Sequence, residues 1–151
     1  MKPFHRFVYQ LARLWWKIGR PLTIGVRAIL IQGNQVLLVK HTYQTSWYMP
    51  GGGVNRGESL EQAVCREAQE EVGATLGEIA LFGAYSNFRE GKNDHVIVFL
   101  CREFTLTGQT DGEIERFGFF PLDALPADTS PGTRRRIDEY VTGTLPCVGQ
   151  W

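Results

Sequence analysis

The sequence WYMPGGGVNRGESLEQAVCREAQEEVGA, residues Trp47–Ala74, joins a glycine-rich loop to a segment with the features of a helix. Ser59 is a favourable N-cap residue, and Gln62, three residues later, would complete a capping box. Gly73 is the residue type that most often ends a helix. The stretch therefore predicts a loop followed by a helix that begins after Ser59 and ends before Gly73.

The predicted helix has an apolar stripe with acidic residues beside it. Apolar side chains recur at helical spacing at Val64, Ala68 and Val72. Next to this stripe lie Glu67, Glu70 and Glu71. Neighbouring like charges on a helix cost about 0.2–0.5 kcal/mol per pair, whereas a hard divalent cation removes the repulsion and prefers oxygen ligands. Arg66 precedes Glu70 by one helical turn and can pair with it.

The glycine run before the helix is suited to a phosphate group. Gly51, Gly52 and Gly53 permit positive φ angles and allow the backbone to approach a ligand closely. Loops that lead into a helix N-terminus commonly bind phosphate. A glycine-rich loop alone is a weak signal, so the spacing of the whole stretch carries the interpretation.

From Gly52 the chain reads glycine, five residues, Glu58, seven residues and then REAQEEVGA from Arg66 onwards. This spacing resembles the Nudix box, G-x5-E-x7-R-E-U-x-E-E-x-G-U, where U is a bulky aliphatic residue. The two U positions carry the smaller Ala68 and Ala74. This departure leaves the carboxylates of the pattern intact.

The resemblance implies an α/β fold, the Nudix-type α/β/α sandwich with a mixed sheet. We divide the chain into an N-terminal amphipathic helix, residues 1–20, and a Nudix hydrolase domain, residues 21–151. The implied reaction is Mg²⁺-dependent hydrolysis of the diphosphate linkage of a nucleoside diphosphate linked to a group X, which gives a nucleotide and phosphorylated X. The alternative is a non-catalytic, metal-dependent nucleotide sensor, in which such acids are commonly degraded. Neither X nor the base follows from the sequence.

The resemblance also implies roles for individual residues. The metal, Mg²⁺ or alternatively Mn²⁺, would be held by Glu67, Glu70, Glu71 and the Gly52 carbonyl. Substrate phosphates would lie against Gly51, Gly52 and Gly53. The catalytic residues would be Arg66, Glu70, Glu58 and Glu113. Glu58 could orient the loop, bind metal through water or act as base. Glu113, outside the box, could be a further ligand or the base.

Outside this stretch, hydrophobic periodicity predicts the remaining elements. The predicted strands are Thr23–Gln32, Gln35–Lys40, Glu78–Phe88, His95–Phe104 and Glu113–Phe120, and the predicted final helix is Thr133–Val141. Between two of the strands, His41–Ser46 is predicted to be a solvated loop, although His41 and Tyr43 could contact substrate. Core packing is the favoured interpretation for Tyr85 and Phe88, and stacking on a base near the site is the alternative. For Arg134, Arg135 and Arg136 a solvated face is favoured over a phosphate-binding patch.

Residues 1–20 carry basic residues and no acid, and their apolar residues follow a helical period. Packing on the domain itself or on a second subunit, as in a homodimer, is the favoured interpretation. Attachment to an anionic membrane surface and contact with nucleic acid are the alternatives.

The composition fits one domain with no excess of either charge. The chain has 151 residues with 16 basic and 16 acidic side chains, so no overall positive field attracts nucleic acid. The cysteines show no metal-binding or disulfide spacing, and Cys65 and Cys101 are predicted to be buried thiols. This sparse cysteine content favours a cytoplasmic location.

Overall fold

The computed structural model describes residues 22–88, 93–143 and 147–151. The predicted N-terminal helix, residues 1–20, lies outside these ranges, so its packing, membrane and nucleic-acid alternatives stay predictions. No helix within the described ranges is long and apolar enough to cross a membrane.

The described residues form strands and two helices. In chain order they are β1 (Leu22–Gln32), β2 (Gln35–His41), β3 (Trp47–Tyr48), α1 (Leu60–Val72), β4 (Ala74–Leu76), β5 (Ile79–Asn87), β6 (Asn93–Cys101), β7 (Phe104–Leu106), β8 (Ile114–Pro121), α2 (Pro131–Thr142) and β9 (Cys147–Gln150).

The main sheet has the strand order β3-β2-β1-β6-β5-β9, and β8 pairs with β2 along its length, from Gln35 to His41. This sheet is mixed, because β1 runs parallel to β6 while β5 runs antiparallel to β6. The predicted hairpin is confirmed, with Gln32 opposite Gln35 across the Gly33-Asn34 turn. A mixed α/β fold with two helices is therefore confirmed.

The two faces of β1 bury different cores. Alternate side chains of a strand point to opposite faces of its sheet. Val26 and Ala28 belong to a core cluster that contains the buried residues of α1, whereas Ile29 and Ile31 belong to one that contains Ile137 of α2. Each helix thus covers its own face of the sheet, which produces three layers.

Helix α1 has the predicted boundaries. The Gln62 N–H donates to Ser59 Oγ at 3.1 Å, and the Ser59 N–H donates to Gln62 Oε1 at 2.9 Å. Gly73 ends the helix in the left-handed conformation with φ 63°. The predicted apolar stripe is buried, but Glu71 is buried with it, which the sequence pattern did not indicate.

The predicted strand His95–Phe104 is two strands. Strand β6 ends at Cys101, opposite Leu30 of β1. The chain then bends, and Phe104–Leu106 pairs with β4 in a separate two-stranded sheet. An apolar run does not reveal such a bend, because both segments are apolar and contact the same core cluster.

Burial differs from the prediction at several aromatic and basic residues. Tyr85 is buried as predicted, but Phe88 is 59% exposed, so core packing is wrong for Phe88. A solvated face is wrong for Arg136, which is 2% exposed and lies 3.8 Å from the centroid of the Tyr85 ring. Cys101 is buried as predicted, whereas Cys65 is only partly buried.

Replacing Ser59 with alanine should lower the free energy of unfolding by about 1 kcal/mol, because the helix loses its N-cap acceptor. Urea denaturation with an unchanged m-value would measure this loss. Thr45→Ala, in an exposed loop, is the matched control and should change stability by less than about 0.5 kcal/mol. Equal effects of the two substitutions would contradict the capping role.

Candidate functional site

The glycine loop lies along the first half of β1. The Val26 N–H donates to the Gly52 carbonyl at 2.9 Å, and the Val54 N–H donates to the Ile24 carbonyl at 3.0 Å. These bonds hold the loop as an extended segment before it leads into α1. The Gly52 carbonyl keeps a second lone pair, so the hydrogen bond does not prevent a further contact.

Gly51 is held from both sides of the sheet. Its N–H donates to Glu71 Oε2 at 2.8 Å, and its carbonyl accepts from Arg27 Nη1 at 2.6 Å. Its φ is 142°, and a Cβ atom there would overlap the Val26 carbonyl oxygen. The position therefore requires glycine for its conformation and for close approach to β1.

Glu71 reaches this loop from inside the core. Its Oε1 lies 2.9 Å from Nε2 of His41, and each of these residues is 5% exposed. A solvated loop is therefore wrong for His41, which is the last residue of β2, whereas Tyr43 is 65% exposed. Both oxygens of Glu71 have protein partners, and its role as a metal ligand stays a prediction.

Arg66 connects three carboxylates to the glycine loop. It donates to Glu58 Oε1 at 2.7 Å, to Glu67 Oε1 at 2.7 Å and to Glu70 Oε2 at 3.1 Å. It also donates to the Gly53 carbonyl at 2.9 Å. The predicted pairing with Glu70 is confirmed, and the contacts with Glu58 and Glu67 extend it.

The contacts of Arg66 affect its acidic partners differently. The hydrogen bond from Arg66, together with one from the Asn55 N–H, lowers the pKa of Glu58. Burial raises the pKa of Glu67 despite its hydrogen bond to Arg66. Glu67 lies against Gly52, where a Cβ atom would approach its carboxylate oxygens to 2.7 Å. Gly52 therefore provides the space in which the Glu67 carboxylate lies.

The donor chemistry of this cluster fits a hard divalent cation, because the carboxylates of Glu67 and Glu70 and the Gly52 carbonyl supply oxygen ligands. Across the described ranges, no group of three or more His, Cys, Asp or Glu side chains is already arranged to hold a metal ion. Hydrogen bonds from Arg66 fix the orientation of the Glu67 and Glu70 carboxylates. The predicted ligand roles are untested.

The sheet brings Glu113 near the same end of β2. Ile114 is opposite His41, and the Glu113 carbonyl accepts from the Thr42 N–H at 2.9 Å. Partial burial raises the pKa of Tyr43, and the negative charge of the Glu113 carboxylate raises it further. The catalytic role of Glu113 stays a prediction.

Arg27 and His41 hold the site together, and sequence reasoning did not assign them these roles. Arg27 is a charged residue inside an otherwise apolar strand, which is a signal that a partner is present. His41 follows the apolar run of β2 directly, so its burial could have been considered. Their partners, Gly51 and Glu71, are distant in the sequence and could not be identified by spacing.

Comparison with known proteins finds a matching family model and several similar sequences. The sequence model of the NUDIX domain matches residues 21–140. The chain is similar to an ADP-ribose pyrophosphatase of Methanocaldococcus jannaschii, with 32% identity over 68% of this chain and 64% of the relative. It is also similar to an RNA pyrophosphohydrolase of Actinobacillus pleuropneumoniae, with 45% identity over 40% of this chain and 29% of the relative.

The fold is similar to that of a MutT NUDIX hydrolase from Burkholderia pseudomallei. The TM-score is 0.71 at 28% identity, and the match covers 78% of this chain and 97% of that structure. By contrast, the chain spans less than two thirds of the length of the two relatives above.

Gly51→Ala should destabilise the protein by about 3 kcal/mol or more, since the new Cβ overlaps backbone and the φ angle is unfavourable. Gly53→Ala is the matched control, because no atom lies within 4 Å of a Cβ at Gly53. Thermal and urea denaturation of both variants measure the difference. A Gly51→Ala protein as stable as Gly53→Ala would contradict the described packing of the loop.

Proposed function

The chain belongs to the NUDIX domain family, and from this premise we propose that it is a Mg²⁺-dependent hydrolase of diphosphate linkages. Its substrate class is a nucleoside diphosphate linked to a group X, and its products are a nucleotide and phosphorylated X. One observation carries the proposal: Arg66 joins the carboxylates of Glu58, Glu67 and Glu70 beside the glycine loop.

The negative charge of the substrate explains why the site needs a cation and ligands to hold it. A diphosphate is anionic, so it repels a nucleophile and has an anionic leaving group. A bound divalent cation neutralises this charge and places a water molecule for attack. Glu67, Glu70 and the Gly52 carbonyl would hold the cation, with Glu71 as a further candidate from the core. Arg66 orients the carboxylates of Glu67 and Glu70.

The acids of the site differ in how well they could accept a proton from water. The lowered pKa of Glu58 makes it a weak base and suits it to holding Arg66 and the loop. Glu67, whose pKa is raised by burial, is assigned to the cation and would act as a carboxylate ligand rather than as the base. Glu113 is exposed directly before β8, lies outside the proposed cation ligands and is the candidate proton acceptor.

The function is tested with a panel of nucleoside diphosphate compounds in Mg²⁺ and H₂¹⁸O. The expected result is release of a nucleotide from at least one compound, a nucleoside monophosphate or, from coenzyme A, adenosine 3′,5′-bisphosphate, with ¹⁸O in one phosphoryl product. ADP-ribose, UDP-glucose, GDP-mannose, NADH and coenzyme A form the panel. Binding without turnover of any of these compounds would favour the nucleotide sensor instead.

Glu70→Gln should lower kcat by at least about 10³-fold, roughly 4 kcal/mol of transition-state stabilisation. The fold should remain intact because the Glu70 side chain is 49% exposed. Glu61→Gln removes an exposed acid from the same helix and should leave kcat nearly unchanged. EDTA should abolish turnover by both the wild-type and the control protein. Full turnover by a folded Glu70→Gln protein would contradict the assignment.

Glu113→Gln should lower kcat by about 10–10³-fold and leave KM within a few-fold, the pattern of a group that acts mainly in the transition state. Glu115→Gln is the matched control, since Glu115 is exposed and lies 3.9 Å from Arg116. Steady-state kinetics of both variants measure kcat and KM. A near-normal kcat for Glu113→Gln, or a larger loss in Glu115→Gln, would contradict the role of Glu113.

A further inference from the structure

A cavity of about 310 Å³ opens on the α2 side of the sheet, next to the glycine loop. Arg27 connects the two, because its side chain lines the cavity and donates to the Gly51 carbonyl. The volume lies at the lower end of the range for small-molecule sites, about 300–1,000 Å³. A ligand in the cavity could therefore extend to the loop proposed to bind the diphosphate.

The charged side chains that line the cavity have a positive balance. They are the guanidinium groups of Arg27 and Arg135 and the carboxylate of Asp94. Asp94 already accepts a hydrogen bond from Thr23 Oγ1 at 2.9 Å. Because the charged side chains of this lining are two cations and one anion, they favour a ligand that carries negative charge.

Arg135 differs from the two arginines beside it. Arg134 donates to the Pro126 carbonyl at 2.7 Å, and Arg136 donates to Glu139 at 2.9 Å and to the Gln150 carbonyl at 3.0 Å. The half-buried Arg135 makes no hydrogen bond or ion pair with any residue that the structure describes. It is thus the arginine of this run that can bind a ligand.

Trp151 forms the apolar wall of the same cavity. Strand β9 runs parallel to β5, and the Trp151 N–H donates to the Ser86 carbonyl at 3.0 Å. The indole packs on Gly132 of α2, where a Cβ atom would lie 2.5 Å from Nε1. Gly132 therefore leaves the space that allows Trp151 to reach the cavity.

We propose that this cavity binds the part of the substrate beyond the scissile diphosphate. Arg135 binds an anionic group on that part, and Trp151 supplies the flat surface against which its planar ring packs. The inference rests on the proposed function and adds to it the class of substrate: a nucleoside diphosphate compound with a further negative charge away from the linkage.

The anion contact is tested by calorimetry in EDTA with pairs of probes that differ by one anionic group. The pairs are ADP-ribose and its 2′-phosphate, NADH and NADPH, dephospho-coenzyme A and coenzyme A, and UDP-glucose and UDP-glucuronate. The wild-type protein should bind the more anionic member of at least one pair about tenfold more tightly. Absence of such a preference in every pair would overturn the proposal.

Arg135→Gln should remove this preference, and Arg135→Lys should retain part of it. Arg134→Gln makes the same change of charge one residue away and should leave the preference intact. Raising the salt concentration should weaken binding by the wild-type protein more than binding by Arg135→Gln, because salt screens the anion contact. An undiminished preference in Arg135→Gln would overturn the proposal.

The apolar wall is tested with Trp151→Ala and Gly132→Ala, which remove or displace the indole. Both should raise the Kd of the preferred probe by about tenfold, the scale of one lost aromatic–base contact, and Trp151→Phe should recover most of the affinity. Gly112→Ala, whose Cβ would meet no atom within 4 Å, should bind like wild type. Unchanged Kd values in folded Trp151→Ala and Gly132→Ala proteins would overturn the role of Trp151.

These outcomes separate the two proposals. Binding in EDTA does not depend on turnover, so a protein that binds the probes as described but never hydrolyses them contradicts only the proposed function. An active enzyme whose Arg135 and Trp151 variants keep the wild-type Kd values contradicts only the assignment of the cavity.

Discussion

The Gly51 peptide links the two faces of this protein. Its N–H binds the buried carboxylate of Glu71 on one side, and its carbonyl binds the Arg27 guanidinium on the other. A buried charged or polar group without a partner is costly, so α1, β1 and the loop must fit together for all three groups to be satisfied. The loop conformation is therefore a consequence of the core.

This constraint explains why the glutamates of α1 have different roles. Glu71 is in the core and makes contacts that the fold requires, whereas Glu67 and Glu70 lie further towards solvent with Arg66. One guanidinium cannot neutralise the carboxylates of Glu58, Glu67 and Glu70 together. The excess negative charge beside a glycine loop makes this end of α1 attractive to a divalent cation.

The cavity on the opposite face has the reverse electrostatic character. Its arginines and its tryptophan come from β1, α2 and the segment after β9, while the acids come from the loop and α1. Arg27 lies between the two regions and contacts the loop directly. A substrate with a metal-binding diphosphate and a separate anionic group would be complementary to both regions at once.

Local features of the sequence were sufficient to predict much of the fold. Helix α1, its capping box and its glycine stop depend on residues within one or two turns, as does the β1–β2 hairpin. The spacing of the glutamates and Arg66 indicated the family and the pairing of Arg66 with Glu70. These features were predictable because the interacting residues are close in the chain.

Only the tertiary structure decided which polar residues are buried and what they contact. His41 meets Glu71 from 30 positions away, and Arg136 meets Gln150 across 14. A sequence pattern does not specify such pairs, because each partner is brought into place by a different strand or helix. For the same reason, only the fold placed Arg27, Arg135 and Trp151 around one cavity and left Arg135 without a partner among the described residues.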